Sequence, residues 1–263
     1  MIHTALSSSS FIDYSPDEIL KLAQRLQVDA IEWTSDGFID EGDTEKASEY
    51  MKATLYSGFS VASYGTLFRV CQHDETIFKK ILETATALGT STIRVWAPQE
   101  THNIAKEETL FIKTSQRLGN LAGDKGICLC YNLDAASMLN TYSRASYLIK
   151  EIGHEFVKLA WEPLFTMPFD VIMNIFTELK GYIGILTSRF ITPQGEPRSL
   201  CTYEEEWSQY LDAFDEQFDS PDMARYVIIR PYPGLPMDKL QKDINIIKKY
   251  AVALRKYRRR RIY

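Results

Sequence analysis

The chain has 263 residues, 45% of them hydrophobic and 25% charged, an ordinary globular composition that excludes a disordered polymer. Its net charge of −5 speaks against a general nucleic-acid binder, no apolar run approaches the roughly 18 residues that span a bilayer, and no charged segment followed by an apolar stretch opens the chain. The expectation is a cytoplasmic protein with neither nucleic acid nor membrane as its partner, of a length that suits one α/β barrel of about 250 residues or two small domains.

Short apolar runs rich in Val and Ile alternate with stretches of helical period, the sign of a parallel sheet. The first strand is read at Ile2 to Ser7 and runs into Ser8, Ser9 and Ser10 without a glycine. Ser15-Pro16-Asp17-Glu18 then supplies an N-cap, a proline at the first helical position and a capping-box glutamate, and Ile19, Leu22, Ala23 and Leu26 line one helical face. Strands follow at Ala30 to Thr34, Ser60 to Tyr64 and Thr92 to Ala97, with a helical face at Phe78, Ile81, Leu82 and Ala85 ended by Gly89. The fifth strand, Ile127 to Leu133, carries Cys128 and Cys130 on one side, since alternate residues of a strand share a face. Beyond it come a helical face at Ala145, Leu148, Ile149 and Ile152 closed by Gly153, a strand at Val157 to Trp161, a helical face at Ile172, Ile175, Phe176 and Leu179, a strand at Tyr182 to Thr187, a helical face at Trp207, Tyr210, Leu211 and Phe214, and a strand at Tyr226 to Pro231. Cys71, Cys128, Cys130 and Cys201 lack C-x-x-C spacing and read as reduced packing residues. The run Arg258 to Arg261 reads as a solvated, frayed terminus.

Eight strand-then-helix units and no Pro/Gly/Ser-rich linker predict one domain over residues 1–263, a single (β/α)8 TIM barrel. An open doubly wound sheet is the alternative, and it usually carries a glycine-rich turn after its first strand. In a barrel the active site lies at the C-terminal ends of the strands, which makes candidates of Glu32, Asp36, Tyr64, Arg69, Arg94, Trp96, Asn132, Asp134, Trp161, Glu162, Thr187, Arg189, Arg230 and Tyr232. Arg94 and Arg189 suit a phosphate or carboxylate of a ligand, or else a neighbouring carboxylate such as Glu32 or Asp36. Tyr64 and Trp161 are expected to stack on the apolar face of a ligand ring and Trp96 to pack. The Pro/Gly-containing connections Ile191 to Thr202 and Pro231 to Pro236 suit either a cover over a ligand or rigid turns.

These residues carry a resemblance. Ile31-Glu32-Trp33, Ala62-Ser63-Tyr64-Gly65, the block from Ala87 to Ala97, Glu151-Ile152-Gly153-His154 and Trp161-Glu162-Pro163 fall in the order and spacing of the sugar phosphate isomerase/epimerase family, and along nearly its full length the chain resembles these xylose isomerase-like barrels. The resemblance implies isomerase or epimerase chemistry on a sugar, with a divalent cation such as Mn2+ or Mg2+ held by residues ending strands five to eight. Such a cation bridges the carbonyl and hydroxyl oxygens while a carboxylate moves a proton on the adjacent carbon.

The sequence departs from that pattern. The implied fifth-strand carboxylate is Asn132, the seventh-strand histidine falls near Gly184, the eighth-strand glutamate is Arg230, and a histidine after the second strand is replaced by Phe38, which leaves Glu162 as the surviving anion. Of the four histidines, His102 alone is expected in a loop on the active face. No metal ligand is therefore assigned. Glu162 and Glu32 are expected to be catalytic, and Tyr64, Arg94, Asn132, Trp161, Arg189 and Arg230 to bind a small sugar-like or anionic ligand. Arg230 either stands in for the lost cation or forms a static ion pair with Glu162, and the alternative to an enzyme is an inactive barrel that binds such a ligand or a protein partner.

Overall fold

Alternation of apolar and polar residues along eight short strands sets which side chains meet at the centre and which lie under helices. The computed structural model describes residues 1–99, 104–163, 168–189, 200–216, 224–232 and 234–261, with the backbone alone at 104, 105, 189, 201, 202 and 255–261. Among them, strands β1 (Ile2–Ser7), β2 (Ala30–Thr34), β3 (Ser60–Arg69), β4 (Thr92–Trp96), β5 (Cys128–Asn132), β6 (Val157–Trp161), β7 (Ile183–Arg189) and β8 (Arg225–Arg230) pair in sequence order, all parallel, and β8 closes on β1. The open-sheet alternative is thereby excluded, and the fold is a closed (β/α)8 barrel.

Helices α1 (Pro16–Leu26), α2 (Thr44–Tyr56), α3 (Glu75–Ala87), α4 (Ile104–Gly123), α5 (Tyr142–Ile152), α6 (Phe169–Glu178), α7 (Glu204–Glu216) and α8 (Met237–Arg261) each follow the strand of the same number. The expected capping box is present: Glu18 N donates to Ser15 Oγ at 3.4 Å and Ser15 N to Glu18 Oε2 at 2.8 Å, and Ile19, Leu22, Ala23 and Leu26 are buried. Gly153 ends α5 in the left-handed conformation at φ 55°, where a Cβ is disfavoured. The backbone of α8 stays helical to Arg261, so the arginine-rich end is part of a helix and not the frayed terminus the sequence suggested. No helix among the described residues is long and apolar enough to cross a membrane.

The barrel interior is layered. Ala5, Ala30, Ala62, Cys130, Ala160, Ile185 and Ile228 form an inner apolar cluster. Above it, toward the C-terminal ends, the interior turns polar at Ser7, Glu32, Ser63, Arg94, Asn132, Glu162 and Thr187, all buried. Two bulges adjust this layering. On β3, Ile31 pairs with Val61 but Glu32 with Ser63, so Ala62 is an extra residue, and on β7 Gly184 is extra between partners of Leu159 and Ala160. A bulge of one residue reverses the facing of everything beyond it.

Candidate functional site

Parity decides the composition of the mouth. With Ile31 and Trp33 directed into the helix layer, Glu32 reaches the barrel centre and is 0% exposed. Its carboxylate accepts four hydrogen bonds: Ser7 Oγ and Arg94 Nη2 donate to Oε1 at 2.6 and 2.8 Å, Ser63 Oγ and Arg94 Nε to Oε2 at 2.7 and 2.9 Å. Arg94 also donates through Nη1 to Asn132 Oδ1 at 2.9 Å, and Asn132 Nδ2 donates to the Val95 carbonyl at 3.1 Å. Burial pushes the Glu32 carboxyl up, but the charge and hydrogen bonds of Arg94, the charge of Arg230 and the Ser7 hydroxyl outweigh it and hold the carboxyl below the ordinary range. The close fit of this fork requires Gly65, where a Cβ would stand 2.8 Å from Arg94 Nη2 and 3.0 Å from Thr34 Cγ2.

Glu32, Arg94 and Asn132, assigned from sequence to catalysis and ligand binding, thus satisfy one another and form a fixed floor. A second pair closes the rim, where Arg69 Nη2 donates to Asp134 Oδ2 at 2.9 Å while the guanidinium lies 5.3 Å from the centre of the Trp96 ring. Trp96 Nε1 donates to the Thr66 carbonyl at 2.9 Å. Asp36 is exposed beyond β2.

Glu162 is differently placed. It is buried at the end of β6, yet its contacts are long: Thr187 Oγ1 lies 3.4 Å and Arg230 Nη1 3.9 Å from Oε2. Its backbone is held firmly, since Tyr142 Oη donates to the Glu162 carbonyl at 2.9 Å and Tyr142 stacks on Trp161 at 4.4 Å and 16°. Arg189 occupies the position beside Arg230 in the strand register, and its side chain lies outside the described residues, as does the whole of His102.

Tyr64 and Trp161 are not in the mouth. Both are fully buried on the outside of the barrel. Tyr64 Oη donates to the Ile39 carbonyl at 2.6 Å, and burial, with Glu41, Asp40 and Asp43 nearby, pushes its phenol well above the ordinary value. Trp161 is sandwiched by Tyr142 and Phe176. The expected stacking of a ligand ring on these two residues is therefore replaced by core packing, and of Tyr64, Trp161 and Trp96 it is Trp96, which shares the inward face of β4 with Arg94, that stays at the mouth. Gly184, aligned with an implied histidine ligand, lies in the lower barrel instead, where Thr187 takes the mouth position on β7. Ser7, Ser63 and Gly65, absent from the sequence-based site, complete the floor.

A divalent cation does not fit this donor set. Glu162 offers a carboxylate, but Asn132 Oδ1 and both oxygens of Glu32 are engaged by Arg94, and Arg230 brings a permanent positive charge. Phe38, in place of an implied histidine, packs against Trp33 at 5.7 Å. Among the described residues no three His, Cys, Asp or Glu side chains gather as a metal site.

No protein-family model and no curated protein matches the sequence. Solved structures match its fold over nearly the whole length. The probable 3-DHS dehydratase AsbF of Bacillus anthracis aligns at 12% identity and a TM-score of 0.70, covering 94% of this chain and 98% of that one. A xylose isomerase-like TIM barrel protein from Mycobacterium smegmatis, in complex with magnesium, aligns at 15% identity and 0.67 over 96% and 97%. An L-ribulose 3-epimerase aligns at 13% identity and 0.67 over 99% and 97%. The chain has the xylose isomerase-like barrel fold, in a widely diverged sequence.

Proposed function

We propose that this barrel acts on a small hydroxylated carbonyl compound of the sugar type at its C-terminal mouth, through Glu162 and Arg230 and without a protein-held divalent cation. One observation carries the reading: among the described residues, Glu162 is the mouth carboxylate whose contacts are long, whereas Glu32 and Asp134 are closed in pairs at 2.8 and 2.9 Å. A carboxylate 3.9 Å from a guanidinium is beyond direct hydrogen-bond distance, so a ligand oxygen beside the pair can bridge the two groups. Arg230 suits a carbonyl or carboxylate oxygen and stabilises the negative charge that grows there when a neighbouring carbon loses its proton. Glu162 suits the hydroxyl beside it, or takes that proton and returns it to the adjacent carbon. The fold-level likeness to an epimerase and a dehydratase supports the same class of substrate. Arg189 beside Arg230 in the register suits an acidic or phosphorylated version of it.

A catalytically silent barrel that binds such a ligand is the second reading, favoured by the complete engagement of Glu32. Calorimetric titration with neutral sugars, sugar acids and sugar phosphates tests binding, and deuterium uptake from D2O into the bound compound tests turnover. Binding lost in Arg230→Ala, with exchange lost in Glu162→Gln, supports the enzyme. Binding without exchange selects the silent barrel, and binding that ignores both substitutions sinks the assignment of this pair.

A further inference from the structure

Away from the mouth, the lower barrel holds a pair of thiols. Cys128 and Cys130 point the same way from β5, with their Sγ atoms 3.9 Å apart and no disulfide between them. Near them opens a cleft of about 340 Å³ at the N-terminal ends of the strands, lined in part by Ser60, Ala62, Thr92, Gly184 and Tyr226. The cleft runs close to both thiols. Thr92 is the register partner of Cys128, and a Cβ on Gly184 would lie 2.6 Å from Cys130 Sγ, so it is the missing side chain of Gly184 that leaves space beside the sulfur. Cys128 is partly exposed and Cys130 fully buried.

We propose that Cys128 and Cys130 form a chelating site for a soft, thiophilic d10 cation entering from the N-terminal end of the barrel. The spacing suits this chemistry: for a metal–sulfur bond of about 2.3 Å, a sulfur separation of 3.9 Å corresponds to an S–metal–S angle of about 115°, near tetrahedral. Thiolate sulfur selects such cations over hard ones. The hydrogen bond to Cys128 and burial raise the Cys130 thiol, and the charge of Lys158, the register partner of Cys130, acts against that rise, so the site takes up metal in exchange for protons. Each thiol gives its proton to solvent as its sulfur takes the ion, so two protons leave per ion bound and no electron is transferred. The site is separate from the C-terminal mouth and does not depend on the function proposed there.

Titration of reduced, metal-free protein with Cd2+ tests the proposal, read by the ultraviolet thiolate-to-metal charge-transfer band. The band is expected to saturate near one equivalent, to vanish in Cys128→Ser and in Cys130→Ser, and to persist in the double variant Cys71→Ser, Cys201→Ser. Should the buried substitutions prevent folding, alkylation of the wild-type protein by iodoacetamide, mapped by mass spectrometry, gives the same answer: Cd2+ is expected to protect Cys128 and Cys130. A band that survives both serine variants, a band lost with Cys71 and Cys201, or neither band nor protection would each overturn the site and leave a pair of packing residues.

Discussion

Arg94 grips both oxygens of Glu32 in a parallel fork, 2.8 and 2.9 Å long, at the centre of the barrel where neither residue meets solvent. Such a pair contributes little over a well-packed apolar filling, but removing one partner leaves the other charge stranded, at a cost of about 3–5 kcal/mol. Glu32→Gln is therefore expected to lower unfolding stability in urea by about that amount. A loss below about 1 kcal/mol would show that the fork is not closed in solution.

Acid sensitivity follows from the same pair. The folded-state carboxyl of Glu32 titrates below its unfolded value of about 4.3, so its stabilisation is complete above that pH and is lost as the pH falls toward the folded value. The advantage of the wild-type protein over Glu32→Gln is expected to be constant near neutrality and to shrink below about pH 4. Parallel urea titrations at several pH values check this, and an advantage that instead grew on acidification would contradict the sign.

Gly65 makes room for the fork. An alanine Cβ there would stand 2.8 Å from Arg94 Nη2, and the guanidinium cannot retreat without giving up Glu32 or Asn132. Gly65→Ala is expected to cost about 1–3 kcal/mol by overpacking, visible as a lowered denaturation midpoint.

Much of this architecture is legible in the sequence, and the misplacements have a physical origin. The strands and helix faces follow from apolar periodicity, and Glu32, Arg94, Asn132 and Glu162 do gather at one end. Trp161 and Glu162 are neighbours on one strand, however, so only one of them can face inward. Strand parity alone signalled that the tryptophan lies under the helices. Tyr64 is subtler. Counted from Ser60 it belongs to the inner face, and the extra residue Ala62 in β3 turns it outward and brings Ser63 onto Glu32. That bulge is set by pairing with β2, which no local pattern reveals. Nor does the sequence disclose that Glu32 is gripped by Arg94 at 2.8 Å while Glu162 stands 3.9 Å from Arg230, because the difference lies in distances between strands.

Tyr64→Phe separates packing from ligand contact. The hydroxyl donates to the Ile39 carbonyl in a buried setting, so its loss is expected to destabilise by about 1–3 kcal/mol while ligand affinity at the mouth stays unchanged. A tenfold loss of affinity with no change in stability would return Tyr64 to the site.

The two ends of the barrel are expected to answer differently to cations. A cation bound by the native state alone raises the thermal midpoint by mass action, by an amount that grows with its concentration. At the C-terminal mouth, Mg2+ and Mn2+ would need anionic oxygen, and there Glu32 is held by Arg94 while Glu162 faces Arg230 across 3.9 Å. Neither ion is expected to move the midpoint of metal-stripped protein. Arg230→Glu changes that balance by two charge units and sets a carboxylate opposite Glu162, so a saturable rise with Mn2+ in this variant, absent from the wild type, is the expected signature of an arginine occupying a cation's place. A rise with Mn2+ in the wild-type protein itself would mean that the mouth rearranges to free Glu32 or Asn132, and the metal-free reading of this site would fall with it.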